Sequence, residues 1–155
     1  MSNLKALHEP EVYAGWVDKV LSHINAEHCY LSLKFGDGVD NDIEYVRDGD
    51  TASAVITLNR GVPPRILLYN MLHELGHYER FIGHTEDMSY YCDSIEEKKE
   101  YSKPEKIRVL IEEVLAWKKA EEIAEELEIE LEKGMWRYIM ETSLQKYTEW
   151  CNIGG

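Results

Sequence analysis

Residues 54–81 read AVITLNRGVPPRILLYNMLHELGHYERF, and this stretch decides the fold. With Ala52 and Ser53 before it, the run to Leu58 is apolar and β-branched, which predicts a strand over Ala52–Leu58. Gly61-Val62-Pro63-Pro64 then breaks the chain. From about Arg65 to Phe81 the pattern changes period. Leu67, Leu68, Met71, Leu72 and Leu75 recur at three- and four-residue spacing, the signature of an amphipathic helix. Within that helix lies His73-Glu74-Leu75-Gly76-His77, an HExxH motif beside the apolar stripe. Residues four apart on a helix share a face, so both imidazoles can reach one metal ion. Glu74 is offset from them and can act as a general base toward water. Gly76 costs about 1 kcal/mol relative to Ala inside a helix. A small residue there admits either a closely packed second helix or a substrate.

The pattern on both sides of this stretch completes an α+β plan. Glu9 to His28 carries Val12, Trp16, Val20, Leu21 and Ile24 at helical spacing, with Pro10 suited to a first turn. Tyr30–Phe35 alternates as a strand, and Gly36-Asp37-Gly38 is turn chemistry. Ile43–Val46 reads as a further strand, separated from Ala52–Leu58 by Asp48-Gly49-Asp50. After the HExxH helix, Gly83–Tyr101 is loop-like and rich in Tyr, Asp and Ser. Ser102-Lys103-Pro104-Glu105 is a capping-box start for a helix running to about Leu127. The acidic residues Glu128 to Glu132 turn the chain into a last helix ending near Trp150, with Met135, Tyr138, Ile139, Leu144 and Tyr147 along it. The expected fold is thus a small sheet of about three strands with helices segregated in sequence, in one domain spanning residues 1–155.

Composition narrows the function classes. The chain holds 17 Lys+Arg against 30 Asp+Glu, a formal net charge of −13. Such a balance disfavours nucleic acid, whose binding depends on neutralising phosphates, and it disfavours an anionic membrane. No apolar run approaches the roughly 20 residues of a membrane span, and the first residues form no signal-peptide core. Cys29, Cys92 and Cys151 are odd in number and widely spaced, which argues against a disulfide framework or a cysteine zinc cage. The expectation is a cytoplasmic protein with reduced thiols.

A catalytic zinc site takes three protein ligands. His84, Asp87, Asp93, Glu112 and Glu113 are the downstream candidates for the third. On the helix after Pro104 the apolar stripe runs through Val109, Leu110, Ala116, Trp117, Ala120, Ile123, Ala124 and Leu127. Glu113 falls in the middle of it, and a carboxylate on a buried face is costly unless paired or metal-bound. Glu112 falls with Arg108 and Lys119 on the side expected to face solvent. Glu113 is therefore the preferred ligand, with a buried salt bridge to Arg65 or Arg80 as the alternative. The metzincin spacing fails, because Arg80 and Gly83 stand where its Gly and third His belong.

The residues Ile56-Thr57-Leu58-Asn59, Arg65, Leu72 to Tyr78, and Glu113 with Ala116 resemble the ImmA/IrrE-type metallopeptidases, which are gluzincin-like. Glu113-x-x-Ala116-Trp117 is similar to small phage-type HExxH proteins, and Trp117 stands where the family usually has Asn. The resemblance covers about Ala54 to Ala120. It implies a minimal zincin-like fold, with zinc held by His73, His77 and Glu113 and Glu74 as the base. It also implies a peptide substrate lying along an edge strand, for which Ala52–Leu58 is the expected edge. No motif names the group that stabilises the oxyanion. His84 and Tyr78 are candidates for that role or for a supporting one, as are Tyr90 and Tyr91.

The function these features imply is a zinc-dependent metallopeptidase that hydrolyses a peptide bond of a protein or peptide substrate by a zinc-activated water, with Glu74 as general base. The alternative is a non-catalytic zinc-containing interaction module that binds a protein partner through its acidic helices. A third reading is a helical adaptor without metal.

Overall fold

The computed structural model describes residues 8–48, 51–83 and 101–152. His84, Asp87, Tyr90, Tyr91, Asp93 and most of the expected 83–101 loop lie outside the described residues. The fold is α+β, with four helices and a three-stranded mixed sheet among the described residues. Helix α1 spans Pro10–Glu27, with Pro10 at its start. Strand β1 is Leu31–Gly36, β2 is Asp42–Asp48 and β3 is Thr51–Asn59. Helix α2 is Pro64–Gly83, α3 is Lys103–Glu126 and α4 is Lys133–Asn152.

The strand order is β1-β3-β2. β1 runs parallel to β3, from Leu31 opposite Ala54 to Gly36 opposite Asn59. β2 runs antiparallel to β3, from Asp42 opposite Thr57 to Asp48 opposite Thr51. This corrects the expectation that Ala52–Leu58 is the edge. β3 is the central strand, and its backbone is paired on both sides. Its composition is consistent with that place, since Ala54, Ile56 and Leu58 alternate into the core while Val55 and Thr57 remain only half-buried. Alternation reports which face is buried and carries no information about which strand lies in the middle.

The core lies where that face of β3 meets α2. Leu68, Tyr69, Met71, Leu72 and Leu75 are fully covered there. Each such side chain contributes roughly 1.5–3 kcal/mol relative to exposure. α1 closes one flank of α2 with Tyr13, Val17, Val20 and Ile24. α3 packs along another flank, and α4 packs on α3.

Two local devices place the segments around α2. At the end of β3, Asn59 Oδ1 accepts from the backbone N–H of Gly38 at 3.0 Å and of Gly61 at 2.9 Å, and the Asn59 N–H donates to Asn41 Oδ1 at 2.9 Å. Gly38 there has φ +68°, a conformation costly for residues with a Cβ. These bonds hold the 37–41 turn against the entry to α2. At the start of α3 the capping box forms as its sequence predicts. The Glu105 N–H donates to Ser102 Oγ at 3.3 Å, and the Ser102 N–H donates to Glu105 Oε1 at 3.1 Å. Such caps are worth about 1 kcal/mol and fix where the helix begins. The backbone N–H of Glu132 donates to the Tyr69 hydroxyl at 3.2 Å, which ties the entry of α4 to α2. No helix among the described residues is long and apolar enough to cross a membrane.

Candidate metal centre

Gly76 explains how a residue on α3 reaches the histidines of α2. A Cβ at this position would collide with the backbone carbonyl of Ala116 and lie 3.2 Å from the Ala120 nitrogen. The glycine therefore serves close helix packing, one of the two roles its sequence position allows. The close approach at Ala116 brings Glu113, one turn earlier, to the HExxH face.

His73, His77 and Glu113 converge, with one donor atom from each lying within 4.8 Å of the others. All three are buried. His73 Nε2 lies 3.5 Å from Glu113 Oε1, and His77 Nε2 meets Glu113 Oε2. These buried side chains could hold a metal ion.

The carboxylate next door also belongs to the site. Glu112 is buried rather than solvated, contrary to its expected place with Arg108 and Lys119. Its Oε2 lies 3.1 Å from His77 Nδ1, and its Oε1 accepts from Arg80 Nε and Nη2, both at 2.9 Å. Arg80 thus pairs with Glu112, while the imidazoles partner Glu113. The reason is again the short α2–α3 spacing. It closes the interface over two adjacent carboxylates, whereas periodicity along α3 alone assigns one to each side. A carboxylate on the far nitrogen of a histidine fixes its tautomer and ring and leaves Nε2 directed at the centre.

His73 is oriented differently. Its ring stacks on Trp117, with centroids 4.1 Å apart and planes inclined by 24°. Among the described residues, neither His73 Nδ1 nor Trp117 Nε1 has a hydrogen-bond partner. Stacking therefore holds the plane of the His73 ring, while Glu112 holds His77 through a hydrogen bond.

The ionisation of the group favours positive charge at its centre. Burial pushes the His73 imidazole down, toward the neutral form that binds metals. Burial also disfavours charge on His77, but Glu113 and Glu112 outweigh it and hold its pKa well above the usual histidine range. Burial opposes ionisation of Glu113, yet His77 and His73 hold it well below the usual carboxylate range. A buried anion flanked by two imidazole nitrogens needs a proton or a metal cation between them, and this donor set suits a borderline divalent metal.

A cavity of about 810 Å³ opens over the cluster, within the range of small-molecule and peptide sites. His73, Glu74, Glu113 and Trp117 line one side of it. Asp40 and Asn41, held by the Asn59 turn, line another, and α4 closes it with Tyr147 and Lys146. Glu74 is buried there, and burial raises its carboxyl to about 7, with His77 lowering it and Glu113 and Asp42 raising it.

Tyr147 is the member of the site that the sequence conceals. It lines the cavity together with Glu113 and Glu74. Burial, together with the charges of Glu113 and Glu74, raises its pKa and keeps the phenol protonated as a donor. In the sequence it is one apolar position among several on the last helix, and no spacing links it to HExxH. Tyr78, one of the expected oxyanion candidates, lies elsewhere. It is buried edge-on against His28, with ring centroids 5.2 Å apart, and does not line the cavity. A one-residue step on a helix rotates by about 100°, which carries Tyr78 off the His77 face.

Comparison with protein families, with curated proteins and with solved structures returns no match for this chain.

Proposed function

We propose that this protein is a zinc-dependent metallopeptidase of the HExxH, gluzincin-like type. The observation that carries the reading is the convergence of His73, His77 and Glu113 beside the buried Glu74, on one wall of a cavity large enough for a peptide segment. His73, His77 and Glu113 would hold the metal. When bound there, zinc supplies Lewis acidity and brings the pKa of a water toward neutrality.

The chain's own groups divide the remaining work. Glu74, buried beside the cluster, accepts a proton from the attacking water and passes it to the leaving amine. Tyr147, kept protonated, donates to the oxygen that becomes negative as the carbonyl turns tetrahedral. Glu112, itself held by Arg80, keeps the His77 ring in place. Trp117 keeps the His73 plane. The substrate strand is offered an edge by β2 rather than β3. The outer side of β2 is unpaired among the described residues, and Asp40 and Asn41 at the cavity lie just before its first residue. An extended peptide added to that edge gains backbone hydrogen bonds and runs toward the site.

The test is zinc content and turnover together. Metal bound at the HExxH cluster should be retained in Glu74→Gln and lost from that cluster in Glu113→Ala. Hydrolysis of a peptide library by the zinc-loaded protein should vanish in Glu74→Gln. Zinc bound at this cluster without any Glu74-dependent cleavage would favour the interaction module instead.

A further inference from the structure

We propose that His23, His28 and Glu79 form a second zinc-class metal site, which staples the end of α1 to the far side of α2. It lies outside the cavity and does not depend on the peptidase reading.

The site is assembled by a helix end. His23 and His28 are five residues apart, so in an uninterrupted helix they would point about 140° away from each other. α1 stops at Glu27, and His28 is its cap, with φ −129° and ψ 74° and its N–H bonded to Ile24 O at 2.8 Å. Leaving the helix there lets His28 return to the side that His23 occupies. Glu79 follows His77 by two residues, which places it about 200° around α2, on the opposite flank from the HExxH cluster.

Both imidazoles aim at one oxygen. His28 Nε2 lies 3.0 Å from Glu79 Oε2, and His23 Nε2 lies 3.3 Å from the same atom. These are hydrogen-bond distances in the metal-free cluster, and they also match the roughly 3.3 Å that separates ligands about 2.0 Å from a tetrahedral ion, so an ion can replace the shared protons with little rearrangement. The rings meet at 86° with centroids 5.4 Å apart, so the two nitrogens approach from different directions rather than stacked. Tyr78 packs edge-on against His28 and fixes its ring.

Charge and access agree with this assignment. Glu79 is mostly buried, and its ion pairs among the described residues are with these two imidazoles. Its neighbour Arg80 is committed to Glu112. A divalent cation neutralises the carboxylate and satisfies both lone pairs, using the imidazole and carboxylate donors that zinc-class metals take. The side chains keep 10–16% exposure, so an ion and a completing water can enter. The cluster joins the end of α1 to α2 through Glu79, which also borders a pocket of about 320 Å³ lined by Arg80, Leu115 and Lys118, and its role is to tie the two helices together.

Glu79→Gln separates a metal site from a hydrogen-bonded cluster. The amide oxygen still accepts from both imidazoles, so the fold survives, but the anionic ligand is gone. The full chain is stripped with a chelator, titrated with zinc chloride, desalted and analysed for metal. We expect about two zinc ions per protomer in the wild type, and about one in Glu79→Gln and in the His73→Ala/His77→Ala double variant. Combining all three substitutions should leave about none. In the double variant, zinc at a hundredfold excess over its Kd should raise the unfolding midpoint by about 5–10 °C, and adding Glu79→Gln should abolish that rise. Equal zinc in wild type and Glu79→Gln, with none in the double variant, would overturn the proposal. A single zinc that Glu79→Gln removes would support it even if the HExxH cluster binds nothing.

Discussion

Two clusters of the same composition, two histidines and one glutamate, sit on opposite flanks of one helix. Their surroundings separate them. His73, His77 and Glu113 join α2 to α3 beneath a cavity, with Glu74 and Tyr147 beside them and Glu112 behind. His23, His28 and Glu79 join α1 to α2 nearer the surface, with the Tyr78 ring packed against His28 and outside the 810 Å³ cavity. The contrast teaches that the same donor set can be built into two different settings. What an ion held there could do depends on the groups around it and on room for a substrate.

The largest effect is expected at the group that one cluster has and the other lacks. Glu74→Gln should lower turnover by about 10²–10⁴-fold with metal content unchanged, measured on any peptide the wild type cleaves. Glu79→Gln in the same assay should leave turnover near wild type, and equal losses in both would erase the distinction. Tyr147→Phe comes next. Losing the donor should cost about 10²–10³-fold in kcat with zinc still bound, and an unchanged kcat would remove Tyr147 from the chemistry. Glu112→Gln should weaken zinc at the HExxH cluster by about 10–100-fold, read by competition with a chromophoric chelator, and leave the Glu79 cluster unaffected. Smallest is Gly76→Ala. The added methyl meets the Ala116 carbonyl, so denaturant unfolding should show a loss of about 1–3 kcal/mol. Because α3 must move aside, that variant should also bind zinc less well at Glu113 and normally at Glu79.

Much of this frame is legible in the sequence. The HExxH spacing placed two imidazoles on one helical face, and the apolar stripe of α3 singled out Glu113 as a carboxylate in a buried position. The capping box at Ser102 and Glu105 predicted where α3 begins, and it begins there. These signals are local, carried by residues within a few turns of each other, and helix geometry converts their spacing directly into direction.

What the sequence determined by itself was therefore the order of elements, their periods and the residues sharing each helical face. Only the tertiary structure decided what depends on contacts between distant segments. Thr51–Asn59 became the central strand because β1 returned to it in parallel, leaving β2 as an edge near the cavity. Glu112 was buried because Gly76 let α3 approach α2 closely enough to enclose two neighbouring carboxylates. Tyr147 entered the site because α4 folded over α3, and His28 met His23 because α1 ended between them. In each case, which side chains meet is set by the packing of separate elements, and sequence periodicity fixes direction only within a single element.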